Sequence, residues 1–188
     1  MEPSELLRYL VEVLDRLDIR YLVTGSTATI AYGEPRFTND IDVVVEMRRE
    51  QVDAFCSAFP AAEYYCSKDA LVQAIQQRFQ FNILHARSGM KIDVIIAGDT
   101  EFDRTRFARR LRLASSDNSD VWFASPEDVI IKKMVYYKEG QSEKHIRDIL
   151  GVLKVRAEKV DRGYITAWAE QMELAEIWRD ILARVDKS

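Results

Sequence analysis

The chain is poor in the residues that soft-metal and redox sites require. Two cysteines, Cys56 and Cys66, and two histidines, His85 and His145, are all that occur in 188 residues. No second cysteine pair or histidine cluster accompanies them, so a zinc site is not expected. Reduced thiols and a cytoplasmic location are the simplest expectation. Also missing is an apolar run of membrane-spanning length. The first residues, MEPSELLRYLVEVLDRLD, are acidic and amphipathic, unlike a secretory signal, so no membrane partner is expected. Nor is there an excess of positive charge: 27 Lys and Arg against 31 Asp and Glu leave a net charge of −4. That balance gives little support to constitutive, non-specific nucleic-acid binding. Arginines do crowd one segment, at Arg104, Arg106, Arg109, Arg110 and Arg112. Interleaved with Phe107, Leu111 and Leu113, they read as a solvated face, a half-buried element, or the lining of a local basic groove.

What is present is the composition of an ordinary globular protein, 47% apolar and 31% charged. The length fits one domain, or one α/β core with a helical appendage. Leu6, Leu7, Leu10, Val11, Leu14 and Leu17 recur at helical spacing behind an expected Ser4 N-cap. A buried strand follows over Ile19 to Thr24, broken by Gly25-Ser26, and a short helix over Thr27 to Tyr32. The Pro-containing stretch from Glu34 to Asn39 reads as a loop. Further strands are expected over 41–46, 80–85, 91–97 and 121–124, and helices over 49–59 and 69–78.

Beyond Ser125-Pro126 the pattern becomes helical, over 129–138, 143–155 and 163–185, with acids Glu127 and Asp128 near the positive end of the first of these. The expected plan is α+β, with a mixed sheet and flanking helices over 1–124 and a helical region over 125–188. Trp168 and Trp178, at helical spacing with Ile165, Leu174, Ile177 and Leu182, read as core. Tyr136-Tyr137 are either surface aromatics or a stacking pair for a base.

The chemistry lies in four features in a fixed order. Gly25-Ser26 follows the first strand, Asp40-Ile41-Asp42 opens the second, Asp93 sits inside a later apolar strand, and Lys133 lies on the helix after Pro126. Side chains alternate across a strand, so Asp40 and Asp42 share a face. Two like charges on one face repel, and a divalent cation with hard oxygen ligands removes the penalty. Asp93 is flanked by Lys91, Ile92, Val94, Ile95 and Ile96, and an acid in such an otherwise apolar strand rarely stays buried without a partner. If its strand lies beside that of Asp42, three acids converge, and such a site can hold two ions. Gly25 permits close backbone approach, and Ser26 opens a helix whose N–H groups suit phosphate.

This order resembles the nucleotidyltransferase superfamily related to DNA polymerase β. The pattern of that family is an apolar strand, Gly-Gly or Gly-Ser, then Asp-x-Asp, then a distant acid between apolar residues. Here it reads Leu22-Val23-Thr24-Gly25-Ser26, Asp40-Ile41-Asp42 and Ile92-Asp93-Val94. Arg36-Phe37-Thr38-Asn39, leading into Asp40, resembles the R-x-T-x-D-x-D form of prokaryotic minimal and abortive-infection-type members. Ser125 to Lys133 is similar to their SPEDL-x-x-x-K segment. His145-Ile146-Arg147-Asp148-Ile149 is similar to a later segment, with His145 where those members carry an acid.

The resemblance implies a polymerase β-like nucleotidyltransferase fold and transfer of a nucleoside monophosphate from a nucleoside triphosphate. The catalytic, metal-binding acids would be Asp40, Asp42 and Asp93, holding magnesium or manganese. Gly25, Ser26 and Lys133 would bind the nucleotide, with Arg36, Thr38 and Asp148 as further nucleotide-binding candidates. Read without the resemblance, Asp148 is a helix-surface acid paired with Lys144. The acceptor could be tRNA, a protein or a small molecule. A toxin role with an antitoxin partner is implied as well. The competing expectation is a catalytically inactive nucleotide-binding or regulatory module on the same fold.

Overall fold

A computed structural model of the chain describes residues 2–34, 37–114, 120–156 and 158–186. It divides into two compact units, Met1–Thr27 with Phe37–Ala124, and Ala28–Arg36 with Ser125–Ser188.

In the first unit the elements are α1 (Pro3–Arg16), β1 (Arg20–Thr24), the start of α2 (Gly25–Tyr32), β2 (Asp40–Glu46), a 3-10 turn (Arg49–Gln51), α3 (Val52–Ser57), β3 (Tyr64–Cys66), α4 (Lys68–Gln77), β4 (Gln80–His85), β5 (Lys91–Ile96), α5 (Glu101–Arg109), β6 (Leu111–Ala114) and β7 (Asp120–Phe123). The strands form one mixed sheet in the order β3-β4-β5-β2-β1-β7-β6, seven among the described residues. β2 runs parallel to β5 and antiparallel to β1.

The two faces of this sheet differ. Ile41, Val43, Ile92, Val94, Phe81 and Ile83 share one face by alternation and are buried. Phe55 of α3 meets the Phe81 ring there, and α1 brings Tyr9 onto the rings of Phe59 and Tyr64. The opposite face carries Asp40, Asp42 and Asp93. α5 lies against it at β1, where Arg20 rests over the Phe107 ring.

Several expectations shift. The first helix starts at Pro3 with Glu2 as its cap, because Glu2 and Glu5 form a reciprocal capping box; Ser4 lies inside it. Gly25-Ser26 opens α2 instead of preceding it. The helix expected over 49–59 is a 3-10 turn followed by the six residues of α3. β3, α5 and β6 were not anticipated. β3 and β6 are three and four residues long, too short to show a period, whereas α5 has a legible start: Thr100 accepts a hydrogen bond from the Asp103 amide.

The second unit contains α6 (Pro126–Gly140), α7 (Glu143–Arg156), α8 (Arg162–Gln171) and α9 (Ala175–Val185). The single helix expected over 163–185 is therefore two. Glu173 adopts a left-handed φ of 57°, and α8 and α9 both pack on α6. An unbroken helix over those residues would run about 34 Å and could not fold back in this way. Trp178 and Leu174 are core residues as expected, and Trp168 is half-buried.

Phe55 is fully buried against Phe59 and Phe81. Phe55→Ala is expected to cost about 3–5 kcal/mol, measured by urea unfolding. A loss below about 1 kcal/mol would contradict the packing of α3 on the sheet.

Candidate active site

The site in the first unit is set by strand register. Asp42 and Asp93 are register partners on the adjacent parallel strands β2 and β5, and Asp40 is the partner of Lys91. Adjacent strands are about 4.8 Å apart, so the two carboxylates project side by side, with Asp40 on the same face one pleat away. The sequence made a convergence of the three acids conditional on the two strands being neighbours, and β2 and β5 are neighbours.

The turn from β1 into α2 closes over Asp42. Gly25 has φ 59°, and a Cβ there would overlap the Asp42 carboxylate. Both the left-handed backbone and the close approach require glycine. The Ser26 amide donates to Asp42 Oδ2 at 3.3 Å. The start of β2 is fastened twice at the Asp40 carbonyl, by the Thr27 hydroxyl at 3.4 Å and the Thr38 hydroxyl at 3.2 Å. Thr38 thus stands at the mouth of the acid pair in a backbone-holding role. Arg36 lies outside the described residues.

The sequence alone assigned no specific role at the acids to three further residues, Lys91, Asn82 and Arg106. Lys91 Nζ lies 2.9 Å from Asp93 Oδ2. This hydrogen bond raises the lysine above its ordinary pKa; burial opposes the rise, and attraction to Asp93, Asp40 and Asp42 supports it. Asn82, the register partner of Asp93 on β4, places its side-chain amide 2.6 Å from Asp93 Oδ1, and with the amide nitrogen assigned to that side it donates to the carboxylate. Arg106, 4% exposed, donates to the Thr24 hydroxyl at 3.4 Å, and Thr24 is the register partner of Asp42. Lys91 was legible, since two positions before Asp93 in a strand is the same face. Arg106 was not, because its helix was not anticipated. Other members of the arginine segment are taken up by packing: Arg110 and Arg112 lie over the Trp122 ring, and Arg112 also pairs with Asp120.

The donor set is chemically suited to a hard divalent cation: three carboxylates on one face, and a glycine cradle holding one of them. Among the described residues, no three histidine, cysteine, aspartate or glutamate side chains are already gathered into a metal cage. Asp93 is met instead by Lys91 and Asn82, and Asp42 by the Ser26 amide.

A family model described as "Nucleotidyl transferase AbiEii toxin, Type IV TA system" matches residues 8–180. The chain belongs to the AbiEii nucleotidyltransferase toxin family. It is accordingly a transferase of nucleotidyl groups. A comparison with curated proteins finds no similar sequence.

Two similar solved proteins have the same fold. The antibiotic-resistance factor ANT(2'')-Ia is 13% identical with a TM-score of 0.54, covering 100% of this chain and 97% of that one. In its complex with adenylyl-2''-tobramycin the TM-score is 0.51 at 13% identity, over 94% and 96%. An antigenic nucleotidyltransferase-like protein from Paracoccidioides brasiliensis is 18% identical with a TM-score of 0.51, over 97% and 94%.

The other motif residues of the AbiEii chain lie in the second unit. Ser125 caps α6 by accepting from the Asp128 amide, as its position before Pro126 anticipated. Lys133 Nζ donates to Asp148 Oδ2 at 2.6 Å, with both side chains buried. Asp148 is therefore no surface acid, and its partner is Lys133 instead of Lys144: it faces α6, where water cannot solvate it. Nearby, Lys132 lies over the Tyr136 ring, and Tyr136 meets the ring of His145. Burial, helped by repulsion from Lys133, holds the His145 pKa below its ordinary value; Asp148 opposes this.

Two outcomes test this cluster. Breaking a buried pair from one side strands a charge, at about 3–5 kcal/mol. Lys133→Met is therefore expected to lose that much stability in urea unfolding, and Lys133→Met with Asp148→Leu to recover most of it. For His145, the folded pKa lies below the unfolded value of about 6.5. The unfolded chain binds the proton first as pH falls through that value, so stability drops toward acid. The stability–pH curve of His145→Gln should be flatter just below pH ~6.5; an unchanged slope would contradict a half-buried His145 whose pKa is held below its ordinary value.

Proposed function

We propose that the chain moves a nucleoside monophosphate from a nucleoside triphosphate to an acceptor hydroxyl, with Asp40, Asp42 and Asp93 as the catalytic acids. The observation that carries this reading is the register of Asp42 with Asp93 on neighbouring parallel strands, beneath a glycine turn. Nothing in folding favours two carboxylates side by side there, whereas phosphoryl chemistry requires them.

In this reading Asp40 and Asp42 hold magnesium, or manganese in its place, and Asp93 completes the set. When bound, the cation neutralises charge on the triphosphate and lowers the pKa of the acceptor hydroxyl. Asp93 takes the proton from that hydroxyl. The freed oxygen bonds to the α-phosphorus, the bond from that phosphorus to the bridging oxygen of the β-phosphate breaks, and pyrophosphate leaves. Gly25 and Ser26 present backbone N–H groups at a helix start to the phosphates, the Ser26 amide turning from Asp42 as it does so. Lys133, held by Asp148, is assigned to the charge of the triphosphate on its motif position, and Arg36 and Thr38 to the nucleotide on theirs. Catalysis is then mainly positioning and charge stabilisation.

The membership of the chain in a type IV toxin family supports a toxin role opposed by an antitoxin. The acceptor classes are tRNA, protein and small molecules. The solved complex of ANT(2'')-Ia with adenylyl-2''-tobramycin illustrates the last of these for that protein.

The test is incubation with radiolabelled nucleoside triphosphates and magnesium, offering RNA, protein and amino-sugar acceptors in turn. Labelling is expected in one class, with Asp42→Ala lowering the rate by roughly a hundredfold or more and chelation of the metal abolishing it. Expression should arrest growth, and Asp40→Ala should relieve the arrest. No labelling of any acceptor by well-folded protein would overturn the reading.

A further inference from the structure

The two cysteines of the chain take no part in the acid site and meet each other elsewhere in the first unit. Cys56 lies on α3 and Cys66 ends β3, and their sulfurs are 3.7 Å apart. Both are free thiols and half-buried. Cys66 is the register partner of Ile83, so it points to the core face of the sheet, on which α3 packs. The chain between the two cysteines is already folded back on itself. The rings of Phe59 and Tyr64 meet edge to face with centroids 5.4 Å apart, and the Glu63 and Tyr64 amides both donate to the Pro60 carbonyl at 2.9 Å. Both cysteines line an open depression together with Asp53, Ser57 and Lys68, so a small reagent in solution can reach them.

We propose that Cys56 and Cys66 form an oxidation site, which a low-molecular-weight disulfide such as glutathione disulfide closes to an intramolecular disulfide bond. That bond is about 2.05 Å long, so the sulfurs approach by roughly 1.7 Å, a closure that side-chain rotation supplies once the backbone is in place. The Cys56 thiolate attacks one sulfur of the oxidant and expels the other, which leaves a mixed disulfide on Cys56. The Cys66 thiolate then attacks Cys56 Sγ and expels the remaining half. Two protein thiols are oxidised, one disulfide is reduced to two thiols, and the protons of the cysteines end on the two expelled sulfurs. Cys56 is the entry sulfur because the thiolate is the attacking species. Burial, with Cys56 adding to it, pushes the Cys66 pKa up to about 12. At Cys56 burial and Asp53 raise the pKa against the Cys66 hydrogen bond and Lys68, which oppose the rise. Among the described residues no third metal-binding side chain is gathered with the two thiols, which favours covalent closure over a thiolate metal site. Closure ties β3, the three-residue strand at one end of the sheet order, to α3 and restricts the unfolded chain between them.

The experiment exposes the whole chain to glutathione disulfide at mildly alkaline pH and follows free thiols, intact mass and thermal unfolding. The expected product is a monomer two hydrogens lighter, with no free thiol and a melting midpoint higher by roughly 5–10 °C, and dithiothreitol should reverse all three changes. The chain has no other cysteine, so an intramolecular bond can join only this pair. Cys66→Ser should stop at one glutathionyl group on Cys56, and Cys56→Ser should react far more slowly. Two free thiols after prolonged exposure, two glutathionyl groups on one chain, or a disulfide-linked dimer overturns the proposal. A closed monomer that melts below the reduced protein overturns the tie between β3 and α3, and faster capture of glutathione by Cys66 than by Cys56 overturns the order of attack. The wild-type products decide the outcome even where a serine variant fails to fold. No nucleotide or metal enters the assay, so a negative result leaves the transferase reading standing.

Discussion

The parallel pairing of β2 with β5 is the constraint around which the first unit is arranged. It sets Asp42 against Asp93 at one strand spacing, with Asp40 one pleat away. Like charges at such a distance are costly in a half-buried setting. The neighbouring groups distribute that cost: the Ser26 amide takes Asp42, and the Lys91 ammonium and Asn82 amide take Asp93. Each is a donor that a cation and phosphates could replace. The close approach of Gly25 to Asp42 follows from the same arrangement, because any Cβ at that turn would displace the carboxylate.

The second unit treats charge differently. Lys133 and Asp148 pair with each other and are both buried. Asp128 accepts from the Ser125 hydroxyl at 2.9 Å and the Tyr164 hydroxyl at 2.8 Å, and Glu127 accepts from the Asp161 amide at 3.0 Å. Buried charges of this kind contribute little net stability, but each fixes the register of the helices that carry its partners. The SPED segment, which in the sequence reads as a helix start, is in the folded unit a set of buried hydrogen-bond acceptors. Asp40, Asp42 and Asp93 of the first unit crowd one another and are only partly sealed, whereas the buried Glu127, Asp128 and Asp148 of the second each meet a hydrogen-bond donor.

How much was legible varies with the kind of signal. β4 reads exposed-buried throughout Gln80–His85, and its bounds match the strand expected over 80–85, although exposed Leu84 and buried His85 break the alternation of residue types. The start of α6 was legible because Ser-Pro followed by two acids is a local signal, independent of the rest of the chain. β3 was not, since a three-residue edge strand exists only because β4 offers it a partner. The break at Glu173 was missed for a related reason: Ile165, Trp168, Ile177 and Leu182 keep a helical period on both sides of it. Asp148 misled because Lys144 four residues earlier makes a plausible surface pair, while its partner lies on another helix. Lys91 could have been read from alternation alone, and Arg106 could not.

The sequence by itself determined which residues are acids, which faces they take on their own strands, and that Gly25-Ser26 must turn sharply after a buried strand. These are consequences of side-chain alternation and backbone sterics, which act over a few residues. It also carried the motif order by which the family is known. Only the tertiary structure decided that β5 lies next to β2, that Lys91 and Asn82 hold Asp93, that Lys133 pairs with Asp148, and that Tyr65 and Leu84 continue the acid face. Those facts depend on which strands and helices become neighbours, and pairing between distant segments is settled by burial of the whole core, which no local pattern encodes.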